Sequence, residues 1–145
     1  IGLKNLLGRY YMNRACTNEG GWLACDMRRW LDSEVLALLS DELLAVIKPR
    51  KFGDEEDKLW LFSEVEVFGK QYRAEKEPDR EKQLEYFKDR RNRVKFDADG
   101  DTVWWWLRSS CAGYSILFCR VNSLGRDISY GRATGSGGVC FGFYI

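Results

Sequence analysis

The sequence predicts one domain of the α+β class, and three observations support this. Apolar residues recur at helical spacing in the first third of the chain, and short alternating stretches typical of β-strands fill the last third. A chain of 145 residues can also bury a core without staples. Helices followed by short antiparallel strands are typical of α+β folds, so we expect a single domain over 1–145.

Helix signals lie in the first two thirds of the chain. Asp26 is predicted to cap one helix and Ser40 a second, shorter one. A polar helix is expected over about 79–91, with Leu84 and Phe87 facing inward. The apolar residues at helical spacing after the first cap are Met27, Trp30, Leu31, Val35 and Leu38.

A buried strand and a capped helical turn are predicted in the middle of the chain. The apolar run 59–62 is bounded by charged residues, which favours a short buried strand. Ser63 and Glu66 have the spacing of a capping box, and Gly69 stands where a C-terminal cap is expected. One or two helical turns should therefore follow Ser63.

Strand signals dominate the last third. Three consecutive tryptophans make 103–107 the predicted central strand, because bulky aromatic residues favour pleated surfaces. We favour packing of these rings in the core over a carbohydrate-stacking platform. Residues 122–125 are expected to form a hairpin turn. The later strands are predicted over 115–122, 128–134 and 138–145, the last with one face toward the core.

The composition changes abruptly at residue 108. Residues 108–145 contain no Lys, Glu, Gln, Met or Trp, whereas the first 107 residues contain thirty of these five types. At the upstream frequency roughly ten would be expected in the tail. Codons that end in a pyrimidine encode fifteen amino acids and cannot encode these five. The tail therefore has the composition of a segment whose positions were varied within a fixed frame.

Charge and residue usage exclude several classes of function. The net charge of +1 favours no nucleic-acid partner, and no apolar run or leader pattern indicates membrane insertion or a signal peptide. The chain has no His, and its five cysteines lack metal-ligand spacing. We therefore expect mostly buried thiols, no metal ion, no cofactor and no identifiable general base.

Two charged segments have a functional and a simpler interpretation. The acidic residues over 97–101 resemble the start of a calcium loop, but its twelfth position is Arg108 where a Glu is needed, so an acidic turn is favoured. The basic run 88–95 could bind phosphate, but it is short and interrupted by Asp89. A solvated helix face is the favoured interpretation of that run.

Several stretches together resemble one known family. They are Met12-Asn13, GGWLACDMRRWL over 20–31, LLSDELLAVIKP over 38–49, DKLWLFSEVEVFG over 57–69, WWLRSS over 105–110 and GVCFGFYI over 138–145. The family is a bacterial and phage domain family of unknown function with a C-type-lectin-like fold. It is similar to formylglycine-generating enzymes and to the variable proteins of diversity-generating retroelements. The ending departs from the GVxPxF form of many relatives, since Cys140 and Phe141 stand in that region and no Pro follows.

The resemblance implies a function for the C-terminal segment. In such retroelements a reverse transcriptase miscopies template adenines, which yields codons ending in a pyrimidine in the variable region. We therefore expect 108–145 to be a hypervariable region that binds a ligand, namely a protein on a cell or virion surface. Frame positions are expected at Trp105, Trp106, Leu107, Arg108, Ala112, Phe118, Val121, Gly125, Ala133, Gly138, Val139, Phe141, Gly142 and Phe143. Varied positions are expected at Cys111, Gly113, Tyr114, Ile116, Leu117, Arg120, Ser123, Leu124, Arg126, Ser129, Tyr130, Arg132, Thr134 and Ser136.

The varied side chains should be exposed, because random substitution in a core is destabilising. We expect two tyrosines and three arginines, Tyr114, Tyr130, Arg120, Arg126 and Arg132, to lie on one contiguous surface. Two alternatives remain open. One is a structural or adhesion module of a phage or bacterial surface protein without diversification. The other, by analogy with formylglycine-generating enzymes, is an enzyme with Cys119 or Cys140 as its reactive thiol.

Overall fold

The computed structural model describes residues 5–76, 82–127 and 129–145, and its helices are short. The α-helices are α1 (Gly21–Ala24), α2 (Asp26–Trp30), α3 (Asp41–Val46), α4 (Glu64–Phe68) and α5 (Glu85–Lys88). A π-helical turn, Leu31–Val35, and a 3₁₀ turn, Leu36–Leu38, continue α2. The predicted helix after residue 26 is therefore one unbroken helical stretch. A second 3₁₀ turn spans Arg90–Arg93.

The strands form one five-stranded sheet and three two-stranded sheets. They are β1 (Arg9–Tyr10), β2 (Arg50–Phe52), β3 (Glu55–Asp57), β4 (Trp60–Leu61), β5 (Lys95–Phe96), β6 (Thr102–Val103), β7 (Trp105–Ser110), β8 (Leu117–Val121), β9 (Ser129–Arg132), β10 (Gly137–Gly138) and β11 (Phe141–Gly142). The large sheet has the order β1-β10-β7-β8-β9, so the tryptophan strand is central as predicted. Its pairs are antiparallel except β10 with β7. The α+β class is confirmed.

The central sheet is covered by apolar residues on both faces. Trp106 and Phe118 belong to one apolar cluster, which also contains Met27 and Leu31 from the long helical stretch. Trp105 and Cys119 belong to a second cluster on the opposite face. This division follows from the alternation of side chains along a strand. The N-terminal helical stretch therefore covers one face of the sheet, α4 and α5 contribute Val67 and Phe87 to the cluster on the other face, and the tryptophans form core on both faces.

The predicted caps are confirmed at two of three helices. The hydroxyl of Ser40 accepts a hydrogen bond from the Leu43 amide at the start of α3. Ser63 and Glu66 form the reciprocal capping box of α4, and Gly69 ends that helix with φ 77°. Asp26 is not a cap: Cys25 precedes α2, and the amide of Asp26 donates to Asn13 Oδ1 at 2.9 Å. The first amide of α2 is thus bound by the Asn13 side chain, thirteen positions upstream.

Two further expectations are corrected. The polar helix predicted over 79–91 is only the short α5 followed by the 3₁₀ turn, and its positions 79–81 lie outside the described residues. Leu84 is exposed, whereas Phe87 is buried as expected. The predicted last strand is divided, because β10 pairs with β7 and β11 pairs with β4 in another sheet. The segment therefore does not alternate between core and solvent. Cys140, next to the core-facing positions, is also buried, and Ile145, which alternation would place in the core, is exposed.

Turn predictions are confirmed on both sides of the sheet. The Gly125 amide donates to the Asn122 carbonyl at 3.0 Å, which closes the hairpin turn between β8 and β9. In the acidic segment Asp97 Oδ1 accepts from the amides of Asp99 and Asp101, which joins β5 to β6. Among the described residues, no helix combines the length and the apolar character that a membrane span requires.

Gly137→Ala is expected to reduce the free energy of unfolding by roughly 2 kcal/mol, because the added methyl group overpacks the core. A Cβ there would lie 2.3 Å from Trp104 Cζ3 and 2.4 Å from Trp106 Nε1. The Trp106 indole cannot move freely, since its N–H donates to the Tyr10 carbonyl at 3.0 Å. Urea unfolding measures the effect, with the exposed Ser136→Ala as the control. Equal midpoints for the two variants would contradict this packing argument.

Candidate functional site

The positions expected to vary lie on the loop 111–116, on β8, on the turn 122–127, on β9 and on the loop that follows it. The exposed ones are Gly113, Tyr114, Leu124, Arg126, Tyr130, Arg132, Thr134 and Ser136. Ile116, Arg120 and Ser123 are half-buried, and Cys111 and Leu117 are buried. The side chain of Ser129 lies outside what the structure describes. Exposure therefore agrees with the expectation at most of these positions, while their variation stays a prediction.

The expected exposure is wrong for Cys111 and Leu117. Leu117 begins β8 and shares a sheet face with Cys119 and Val121, so its side chain enters the second apolar cluster. Cys111 joins the same cluster, and its backbone pairs with that of Ala74. Burial raises the pKa of the Cys111 thiol. Free substitution at either position would disturb the core.

The expected frame positions are buried with one exception. Ala112 is exposed, because it lies in the loop between β7 and β8. The buried frame positions are Trp105, Trp106, Leu107, Arg108, Phe118, Val121, Gly125, Ala133, Gly138, Val139, Phe141, Gly142 and Phe143. These residues form the scaffold on which the exposed positions are displayed.

Two exposed tyrosines and one arginine form a compact group, which we call the tyrosine cluster: Tyr114, Tyr130 and Arg73. The two tyrosine rings stack with centroids 6.1 Å apart and an angle of 12° between their planes. The Arg73 guanidinium carbon lies 5.1 Å from the centroid of the Tyr130 ring. The tyrosines are 57% and 41% exposed, so this group offers aromatic surface to a partner.

Backbone contacts hold the loop that carries Tyr114. The amide nitrogen of the Asn18 side chain donates to the carbonyls of Tyr114 and Leu117 at 2.7 and 2.8 Å. The Asn18 backbone amide donates to the Ser115 carbonyl at 2.7 Å. Gly113 adopts φ 78°, a conformation that glycine allows at this turn. The loop is thus fixed to the N-terminal part of the domain.

A buried carboxylate holds the segment that carries Arg73. Glu64 is 1% exposed, and its carboxylate accepts hydrogen bonds from the backbone amides of Tyr72, Arg73 and Ala74. The Arg73 carbonyl in turn accepts from the Ala112 amide at 2.7 Å. Both halves of the tyrosine cluster are therefore supported by internal hydrogen bonds.

The expected single surface is wrong for Arg120. Arg120 pairs with Ser129 and Tyr130 with Cys119, so Arg120 and Tyr130 project from opposite faces of the sheet. The Arg120 guanidinium carbon lies 4.2 Å from the centroid of the Trp104 ring, and burial lowers the pKa of Arg120. Arg132 shares the Tyr130 face, because it lies two residues further along β9. Arg126 lies in the hairpin turn and lines a separate groove.

The thiols named by the enzyme analogy are buried, with Cys119 1% and Cys140 0% exposed. Cys16 is the exposed one of the five cysteines, all of which are thiols. Within 5–76, 82–127 and 129–145, no three His, Cys, Asp or Glu residues come together in an arrangement that could hold a metal ion.

Sequence reasoning missed Arg73 and Glu64. Arg73 lies in a polar segment far from the tail in sequence, and only tertiary contacts, with Ala112 and with the Tyr130 ring, bring it to the site. Glu64 is a buried charge at the start of α4, and its sequence neighbours give no sign of the loop that it binds. One local signal existed, since the spacing that identified the Ser63 cap places Glu64 at the first turn of a helix.

The fold and this surface define a small α+β domain with an exposed aromatic cluster on a fixed loop framework. The chain belongs to the family described as a domain of unknown function (DUF6273), whose model matches residues 3–143. No curated protein and no solved structure matches the chain.

Proposed function

We propose that this chain is a non-enzymatic ligand-binding module that recognises a protein on a cell or virion surface. The tyrosine cluster is the observation that carries the proposal, because two stacked, exposed tyrosines with an adjacent arginine offer a partner both ring faces and hydrogen-bond donors. Tyrosine and arginine are the residues most often found at the energetic centres of protein interfaces and in antibody paratopes.

The support of the cluster also favours recognition. Binding usually orders mobile side chains and loops, which costs free energy. Here Asn18 and Glu64 already fix the segments that carry Tyr114 and Arg73, and Tyr130 lies on β9 within the sheet. A preorganised surface loses less conformational entropy on binding, so it suits a module that binds a partner without any chemical step.

We further propose that the domain has a C-type-lectin-like fold and that its exposed C-terminal positions are diversified by a retroelement. Support comes from the codon-type composition of 108–145 and from the exposure of most positions expected to vary. The decisive observation is genomic. A reverse transcriptase gene should lie beside a near-copy of the 3′ end of this gene, and variable codons should align with template adenines.

A non-diversified adhesion module is the second candidate, and the burial of Cys111 and Leu117 favours it. A diversified segment should vary only at exposed positions, and these two positions expected to vary lie in the core. Sequences from sister strains separate the candidates. Changes confined to exposed positions of 108–145 support diversification, whereas changes spread evenly over the chain support the adhesion module.

Tyr130→Ala is expected to weaken binding to target cells by at least about tenfold, as truncation of a central interface tyrosine commonly does. Flow cytometry with the labelled domain and a panel of bacterial strains measures binding. Tyr86→Ala is the matched control, because Tyr86 is 44% exposed and lies on α5, outside the tyrosine cluster. Equal binding of the two variants would remove the cluster from the site, and undiminished binding to protease-treated cells would rule out a protein partner.

A further inference from the structure

A groove of about 310 Å³ opens where the 3₁₀ turn Arg90–Arg93 meets the turn between β8 and β9. We call it the arginine groove, because Arg90, Arg93 and Arg126 line it. Asp127 and the aromatic residues Phe68 and Tyr72 complete its wall. Arg90 and Arg93 precede the C-terminal segment, whereas Arg126 and Asp127 lie within it, so diversification of Arg126 would alter one wall of the groove.

Both turns that form the groove are fixed. A Cβ on Gly125 would lie 3.2 Å from Arg93 Cβ and 3.3 Å from the Arg90 carbonyl oxygen, so the turns are in close contact. Asn122 Oδ1 accepts from the Arg126 amide at 2.8 Å, which shapes the β8–β9 turn. Arg93 Nε donates to the Phe87 carbonyl at 2.8 Å. The groove therefore needs little ordering before it binds a ligand.

The groove has a surplus of positive charge. Three guanidinium groups and one carboxylate line it, which gives a formal charge of +2. The neighbouring Arg91 is paired with Asp89 at 2.7 Å. In the part of the chain that the structure describes, no ion pair holds Arg90, Arg93 or Arg126 to a carboxylate. Such a concave cationic surface attracts anions.

We propose that the arginine groove binds a sugar that carries a sulfate or phosphate ester. Guanidinium groups donate in a planar fork that fits the oxygens of a tetrahedral anion. The Asp127 carboxylate would repel a bare anion, but it can accept hydrogen bonds from sugar hydroxyl groups. Tyr72 is 54% exposed and packs edge-on with Phe68, so this wall of the groove offers aromatic surface to a pyranose. The volume is at the lower end of ligand pockets, about 300 Å³, and it suits one sugar unit better than an extended nucleic acid.

Isothermal titration calorimetry of the whole domain tests the proposal with glucose 6-sulfate, glucose 6-phosphate, inorganic sulfate and glucose. We expect at least one ester to bind more tightly than inorganic sulfate, and glucose not to bind. The two ester titrations tell a sulfated from a phosphorylated ligand. Arg90→Gln and Arg126→Gln should each weaken ester binding at least about tenfold, since each removes charge-assisted hydrogen bonds. Arg91→Gln is the matched control and should change it less than about twofold.

Asp127→Asn separates a sugar site from a plain anion site. Both anions gain from removal of the like charge, but only the ester loses a carboxylate acceptor for its hydroxyl groups, so the preference for ester over inorganic sulfate should fall in this variant. Thermal unfolding of each variant checks its fold. If Arg90→Gln fails to fold, Arg90→Lys takes its place and should still weaken ester binding, because lysine keeps the charge but loses the planar fork of donors.

Three results would overturn the proposal. These are no ester binding by the unmodified domain, inorganic sulfate binding as tightly as both esters, or unchanged ester binding in Arg90→Gln and Arg126→Gln. Tighter binding of single-stranded DNA than of either ester, with a steep salt dependence, would assign the groove to nucleic acid and overturn it as well. None of these results bears on the cell-binding test of Tyr130.

Discussion

Replacing Glu66 with alanine is expected to destabilise the fold by about 3–5 kcal/mol, the usual cost of leaving a buried charge without its partner. Glu66 is 4% exposed, and its carboxylate accepts from the guanidinium groups of Arg108 and Arg50. It also accepts from the Ser63 amide at 2.9 Å, which closes the capping box of α4. Alanine would remove the acceptor for two arginines and one helix-end amide together. Guanidinium chloride unfolding measures the loss.

The matched control is Glu85→Ala. Glu85 is paired with Lys88 at 2.6 Å, but its side chain is 86% exposed, and exposed pairs contribute little. Glu66→Gln should fall between the two variants, since an amide oxygen can still accept from the Ser63 amide while the charge is lost. A stability loss for Glu66→Ala no larger than that of Glu85→Ala would show that the buried ion pairs are not stabilising.

The same carboxylate makes stability depend on pH. Burial alone would raise the pKa of Glu66, but Arg108 and Arg50 outweigh burial and lower that pKa below the ordinary value of 4.5. The unfolded chain therefore binds this proton more readily. The stabilisation is fully present above pH 4.5 and is lost as the pH falls through the folded-state pKa. Since the pKa values of Asp26 and Asp89 are also lowered, the difference between wild type and Glu66→Gln isolates the contribution of Glu66.

Signals contained within a few residues predicted local structure well. The capping box of Ser63 and Glu66 and the turn over 122–125 depend on contacts no more than four positions apart, and both are confirmed. Asp26 does not cap α2, because its carboxylate accepts from the Arg14 amide and the Asp26 amide donates to Asn13; contacts with such distant residues leave no local pattern. Helix ends are predictable from sequence when their partners are local.

Burial in the tail was harder to predict, because it depends on strand register. A shift of one residue reverses the face of every side chain in a strand. Leu117 and Arg120 illustrate this, because they lie on opposite faces of β8. Leu117 is buried in the second apolar cluster, whereas Arg120 packs on the Trp104 ring. The partnership of Arg73 with Tyr130 depends on a contact between distant segments, which neither segment indicates alone.

The compositional break at residue 108 also coincides with a change of structure. Every helix within the described ranges ends at or before Arg93, and the tail consists of strands, turns and loops. Lys, Glu and other helix-favouring residues are depleted in strands, so the fold accounts for part of the break. It does not account for the missing tryptophan, because Trp is favoured in strands. The absence of Trp from 108–145 is therefore the stronger support for codon-directed diversification.

Glu64→Ala is expected to destabilise the domain by about 3 kcal/mol, because three backbone amides lose a charged acceptor and the one on Ala74 is buried. The Glu64 carboxylate accepts from three consecutive backbone amides, those of Tyr72, Arg73 and Ala74. Without this carboxylate the segment that carries Arg73 is held less firmly, and the contact of Arg73 with the Tyr130 ring weakens. Hydrogen exchange measures this locally. Compared with the unmodified domain, the exchange rate should rise more at these three amides than at those of β7.

The control for this variant is Glu75→Ala, which removes an exposed carboxylate immediately after the same segment. Glu64→Gln should retain partial protection, because one amide oxygen can still accept while the second acceptor and the charge are lost. If Glu64 anchors the recognition surface, Glu64→Ala must also weaken cell binding more than its stability loss explains, while Glu75→Ala leaves binding unchanged. Unaltered exchange at Tyr72, Arg73 and Ala74 in Glu64→Ala would mean that other contacts hold this segment.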